Sequence, residues 1–201
     1  MDWTEKLLMP RLFEGKYSQD NQDGIIQYIF KNIETTNKFC IEFGFDTTEL
    51  TDGSGSNTAR LIMEDQWSSL LLDNEHENPS INLHKEFLTE TSVCSVFKKY
   101  NVPQQFDYLS IDVDSIDLWL MKSILKGGYK PRLISVEYNS NFPIDMSVTV
   151  KPDNIWGGDA IYGASLLALN RVAEEFNYRL IGVTRQLDLF FIENTGDTLN
   201  F

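Results

Sequence analysis

The stretch from Lys38 to Thr58, KFCIEFGFDTTELTDGSGSNT, constrains the fold more than any other part of the chain. It opens with Phe39-Cys40-Ile41, an apolar run of the kind that forms a buried strand, and that strand ends on Glu42-Phe43-Gly44. A loop rich in Gly, Ser, Thr and Asp follows, then Ala59-Arg60-Leu61-Ile62-Met63, which reads as a helix. Strand, acid-x-Gly, polar loop and helix in succession is how a parallel α/β sheet builds a nucleotide site at its carboxyl edge. Gly permits close backbone approach, and the start of a helix offers unpaired N–H groups.

Glu42 narrows the choice of ligand. A carboxylate at a strand end repels a pyrophosphate but suits an ammonium or a ribose. That favours a cationic amino-acid nucleotide such as S-adenosylmethionine over NAD or ATP. The rest of the chain agrees in sign. Its formal net charge is −13 with no basic run, which disfavours nucleic acid and anionic membrane as partners. No run of about 18 apolar residues predicts a membrane span. MDWTEKLLMPRLF is too charged for a signal peptide, and Cys40 and Cys94 lack metal or redox spacing. Both cysteines read as reduced core residues of an intracellular, cytoplasmic protein. The 201 residues suffice for one α/β domain, with residues 1–16 as an N-terminal arm.

Further strands and helices can be placed in order. Ile25 to Ile33 has helical apolar spacing, and the polar segment before it, Ser18 to Asp23, reads either as a capping segment or as a cover over a cofactor. Strand one is Phe39 to Glu42. Strand two is Ser68 to Asp73, with Asp73 at its tip, where ribose hydroxyls are bound in such sheets. Its distance from Glu42 is stretched by the Thr47–Gly55 loop. Ile81 to Leu88 reads as a weaker third strand carrying His84, a structural residue; His76, between two Glu, reads as solvated. A helix begins near Val93.

Phe106 to Ile111 reads as a strand running out into Asp112 and Asp114, which on an extended chain point to one side. A helix from about Ile116 to Leu125 follows, closed by Gly127-Gly128. The next strand, Arg132 to Glu137, ends in Glu137-Tyr138-Asn139. Parallel strands bring such tips together, so Asp112, Asp114, Glu137 and Asn139 are candidate ligands for Mg²⁺ or another hard divalent cation. Otherwise these acids cap helices and hold loops. The long loop from Asn141 to Asp159 offers Trp156 and Asp159, with Tyr162 beyond it, as substrate contacts. Ser165 to Phe176 is an amphipathic helix, and Tyr178–Val183 with Leu187–Glu193 reads as an antiparallel pair.

Strand-helix units followed by a terminal hairpin resemble the class I S-adenosylmethionine-dependent methyltransferases, in which a reversed last strand enters a mostly parallel, doubly wound, Rossmann-like seven-stranded sheet. The chain resembles the FkbM type and its uncharacterised relatives through Ser18-Gln19-x-x-Gln22-Asp23, Glu42-x-Gly44, Ser56-Asn57-Thr58 and Asp73. Phe106 to Asp112, Glu137-Tyr138-Asn139 and Gly163-Ala164-Ser165-Leu166 extend the match over about residues 17–193. The resemblance implies methionine contacts from Glu42 and Gly44, ribose contact from Asp73, and Asp112 beside the transferred methyl group. Gln19, Ser56 and Asn57 join this cofactor set. It implies methyl transfer to an oxygen of a small polar acceptor, activated by a bound metal or, without one, by Asp112 or Asp114 as general base. Phe45-Asp46-Thr47 departs from the family, which carries a second glycine there; Asp52-Gly53-Ser54-Gly55 is the candidate substitute. That departure keeps two rivals open: a non-catalytic domain on the same fold, or another nucleotide-using enzyme. The acceptor and the oligomeric state are not legible in the sequence.

Overall fold

A computed structural model describes residues 2–51 and 55–194. The strands are β1 (Phe39–Phe43), β2 (Ser68–Asp73), β3 (Leu83–Lys85), β4 (Gln105–Ile111), β5 (Lys130–Glu137), β6 (Tyr178–Val183) and β7 (Asp188–Glu193). The helices are α1 (Trp3–Leu7), α2 (Gln22–Asn32), α3 (Ala59–Met63), α4 (Val93–Lys99), α5 (Asp117–Lys126) and α6 (Leu166–Glu175). One sheet runs in the order β3-β2-β1-β4-β5-β7-β6. β1 to β5 pair in parallel, and β7 is antiparallel to both β5 and β6. The terminal hairpin therefore inserts a reversed strand into a mostly parallel seven-stranded sheet, as the resemblance implies.

Alternation along the strands builds a core on each face, because successive side chains point to opposite sides. Ile41, Phe43, Leu70, Leu72, Ile134 and Val136 face α4, α5 and α6. Cys40, Tyr108, Leu133 and Phe190 face the other way, against Leu7, Ile25, Ile29 and Leu61 from α1 to α3. The N-terminal arm is packed: Leu7 is 1% exposed, within van der Waals reach of the position a Cβ on Gly182 would take. Among the described residues, no helix is long and apolar enough to cross a membrane.

Side-chain hydrogen bonds decide where several elements begin. Asp23, in the first turn of α2, accepts from the backbone N–H groups of Lys16 and Tyr17, while Ser18 Oγ accepts from Asp23 N at 3.1 Å. The segment before α2 thus acts as a cap. Ser165 starts α6 by accepting from Ala168 N at 3.3 Å. Asp107, fully buried on β4, accepts from the backbone N–H groups of Thr36, Asn37 and Lys38 and so holds the turn entering β1.

β3 is shorter than its hydrophobic pattern predicts. Pro79–Ile81 form a 3₁₀ turn, and Asn82 leaves it at φ 57, so extended backbone begins only at Leu83. Past Lys85, the Glu86 carboxylate turns to Lys99 and Tyr100. His84 stacks on Tyr100 at 4.4 Å, a structural contact.

Candidate functional site

A cavity of about 450 Å³ opens at the carboxyl ends of β1, β2, β4 and β5. Gly44, Asp73, Asp112 and Glu137 reach it from those four strand ends, and Gln19 reaches it from the segment before α2. Among the described residues its ionisable lining is acidic: Asp46, Asp73, Glu86, Asp112, Asp114 and Glu137, with no Lys, Arg or His. A phosphate would find no cationic side chain there among the described residues, whereas a sulfonium, an ammonium or a metal cation would find carboxylates.

Glu42 does not line the cavity. It is buried at the end of β1 and accepts from Ser56 Oγ at 2.7 Å, Asn57 N at 2.7 Å and Thr58 N at 3.2 Å, and also from Thr58 Oγ1. Burial pushes its carboxyl up, against the pull of these donors. Asn57 Nδ2 donates onward to Ser110 Oγ at 3.0 Å, and Ser135 Oγ donates to the same oxygen at 3.1 Å. Glu42, Ser56 and Asn57 therefore form a buried latch that fixes the loop entering α3, behind the cavity lining. Gly55 closes this loop against the N-terminal segment: at φ 110, a Cβ there would stand 2.5 Å from Gln19 N. The latched loop thus buttresses the segment that carries Gln19.

The turn after β1 is built with Gly44 and no second glycine. Gly44 sits at φ 69, and a Cβ on it would fall 1.7 Å from the Asp112 carbonyl oxygen. Asp46 takes the next left-handed position, φ 51, which Asp tolerates better than most residues. Phe45 is buried against Leu71 and Leu83. Asp52, Gly53 and Ser54, of the candidate substitute segment, lie outside the described residues.

Asp73 is already well supplied with donors. Its Oδ1 accepts from Glu75 N and His76 N, both at 2.7 Å, and contacts His76 Nδ1 at 2.9 Å. Burial opposes its charge, but the N–H groups of Glu75, His76 and Asp46 outweigh it and hold the carboxyl below its usual range. Its free acceptor capacity lies on Oδ2, which takes one bond, from Asp46 N. His76, expected in solvent, is drawn down onto this carboxylate.

Asp112, Asp114 and Glu137 bring carboxylate oxygens within 4.8 Å of one another. The convergence does not come from strand alternation, because β4 ends at Ile111 and Asp114 sits at φ 58. The turn is made by Asp117, fully buried at the start of α5, which accepts from Val113 N at 2.8 Å and Ser115 N at 3.1 Å. Burial pushes Asp117 up to about 7. Burial also pushes Glu137 up to about 10, with Asp112 and Asp117 adding repulsion. Asp112 is raised by burial and then by Asp117. Glu137 Oε2 is buried and has no hydrogen-bond partner. An orphaned carboxylate oxygen beside two more carboxylates suits a hard cation.

Asn139 is not part of this cluster, which corrects the four-ligand expectation. Its Nδ2 donates to the carbonyls of Ala160 and Tyr162, and its Oδ1 accepts from Asn141 N at 3.0 Å. With β5 ending at Glu137, Asn139 has already entered the long loop and serves to pin it.

Asp117 escaped the sequence reading although its place in the first turn after Asp-x-Asp-Ser-Ile is a recognisable capping signal. Phe87 and Glu86 were hidden inside the supposed third strand. Of the loop residues considered as substrate contacts, Trp156 lines the cavity; Asp159 and Tyr162 support it instead.

No protein-family model matches the chain, and neither does any curated protein. Among solved structures it is similar to MycE methyltransferase from the mycinamycin biosynthetic pathway, in complex with Mg and SAH, at a TM-score of 0.46 and 12% identity. The same enzyme with Mg, SAH and mycinamycin VI gives 0.47 and 10%. In both, 86% of this chain is covered and 49% of the other, so the chain spans about half the length of MycE. The glycopeptide N-methyltransferase MtfA, complexed with SAH, gives 0.35 and 11% over 84% of this chain and 85% of its own. Likeness at this level decides nothing about activity, which has to be argued from the site.

Proposed function

We propose that the chain binds S-adenosylmethionine and transfers its methyl group to a hydroxyl oxygen of a small acceptor. The observation that carries this reading is the cavity at the carboxyl edge of β1, β2, β4 and β5, lined by six acids and no base. Such a lining turns away phosphate-bearing nucleotides and favours a cationic one. The same lining, with the net charge of −13, points to a small-molecule acceptor and away from nucleic acid or membrane.

Each residue then has a part. Gly44 lets the turn after β1 close against the Asp112 carbonyl, Gln19 and Asp73 offer polar contacts, and the Glu42 latch holds the α3 loop in place behind them. S-adenosylmethionine supplies the methyl group on a sulfonium, which leaves as a neutral thioether. The acceptor oxygen attacks in line, and without a bound cation its proton passes to Asp112, whose carboxyl is pushed above its usual range by burial. Asp112, Asp114 and Glu137 would hold a divalent cation, which when bound would acidify and orient the acceptor hydroxyl. Glu137 Oε2, left without a donor, is the atom that most needs such a partner.

The rival, a binding domain without turnover, draws on Asp73, whose Oδ1 is filled by the protein's own donors. Calorimetric titration with S-adenosylhomocysteine separates these readings from any other nucleotide chemistry. Micromolar binding, with NAD and ATP inert, supports the cofactor. No binding at millimolar ligand rejects it. Turnover of labelled S-adenosylmethionine then divides enzyme from binding domain.

A further inference from the structure

The long connection between β5 and α6 carries apolar side chains out to the acid-lined cavity. Its base is tied down: Thr149 bridges to Ala164, and Trp119 Nε1 on α5 donates to the Val150 carbonyl at 2.8 Å. Its outer part is tied as well, since Ser115 Oγ donates to the Asn154 carbonyl at 2.9 Å. Just past that anchor, Ile155 is 79% exposed and Trp156 is 40% exposed, and both line the cavity. Trp156 is held in place, because its Nε1 donates to the Asp159 carbonyl at 2.8 Å and its ring packs on Tyr162 at 5.7 Å. From the segment after β3, Phe87 lines the same cavity at 64% exposure.

Large apolar groups left in water beside a concave polar site mark a place where a ligand is bound. The acids within the cavity and the apolar rim make different demands on it. The carboxylates require a polar group and exclude a negative charge, while the rim requires an apolar body. A fixed indole favours a flat one.

We propose that Phe87, Ile155 and Trp156 form the acceptor subsite, and that the acceptor is a neutral, ring-bearing alcohol or phenol. Its hydroxyl turns toward Asp112 and its ring lies against Trp156, so it is polar only at its reacting end. The fate of the hydroxyl rests on the methyl-transfer reading; the binding of the ring does not.

Three probes test this by saturation-transfer NMR, each with and without S-adenosylhomocysteine: 2-naphthol, 2-naphthoate and xylitol. The expected result is that 2-naphthol binds while the other two are at least about tenfold weaker. The double variant Phe87→Ser/Trp156→Ser loses about fivefold or more of the naphthol affinity, and Trp156→Phe keeps most of it. Both side chains are exposed, so the melting curve of the double variant should match the parent's. Equal binding of xylitol or naphthoate, wild-type affinity in the double variant, or no naphthol binding overturns the subsite. Absence of S-adenosylhomocysteine binding instead rejects the cofactor reading, and the cofactor-free arm still decides the subsite.

Discussion

The backbone N–H of Asp46 donates to Oδ2 of Asp73 at 3.1 Å, which makes the turn leaving β1 and the tip of β2 one unit. Asp73→Ala strips acceptors from Asp46, Glu75 and His76 together with any ribose contact. We expect a lower melting temperature and S-adenosylhomocysteine binding weaker by about 1–3 kcal/mol. An unchanged dissociation constant in a folded Asp73→Ala protein removes Asp73 from the site.

Gly44 and Asp112 touch through the backbone, leaving no space for a side chain at Gly44. Gly44→Ala combines that collision with a left-handed φ of 69 and should cost at least about 1–2 kcal/mol in urea unfolding. Gly157→Ala, with nothing within 4 Å of the added methyl, serves as the control and should stay within about 0.5 kcal/mol. Equal stability of the two variants would show that the close approach is relaxed in solution.

Magnesium should raise the melting temperature of chelator-treated protein, since a ligand bound only by the folded state stabilises it. Asp112→Asn and Glu137→Gln each remove a charged ligand and should abolish the rise. Asn139→Ala should leave it intact, although the loop that Asn139 pins will be weakened. A magnesium response that survives Glu137→Gln contradicts the three-carboxylate site.

Asp188 gives the molecule a pH dependence with a definite sign. Burial pushes its carboxyl up to about 7, against donors from Gln22 and Asn57, with Glu42 adding repulsion. The folded state thus keeps a proton that an unfolded Asp loses near about 4. Where the unfolded state binds fewer protons, stability falls as pH rises, so this contribution declines between about pH 4 and about 7. Asp188→Asn carries no such proton, and its melting temperature should decline less over that interval. Parallel curves for variant and parent would remove Asp188 as a source.

The acids at the cavity were legible to different depths. Asp73 and Glu137 ended predicted strands, and strand ends are a local property of hydrophobic pattern. Asp112 and Asp114 lie near each other, but not through strand alternation, which does not extend past Ile111. Asn139 followed the same rule and failed, because the chain had already turned into the loop.

The sequence by itself determined the sheet. Apolar runs of strand length, alternating with helical stripes and closed by two strands with a short link, allow few arrangements, because each face must be covered. The site was decided by which partners each side chain met in the folded chain, near or far along the sequence. Glu42 met Ser56, Asn57 and Thr58 and became a latch. Asp117 turned back on Val113 and Ser115 and so aimed Asp114. Trp156 came to the cavity because Asn154 found Ser115. A carboxylate has the same local propensity whether it caps a turn, fixes a loop or faces a ligand. Its role is set by which donors the folded chain brings within hydrogen-bond reach.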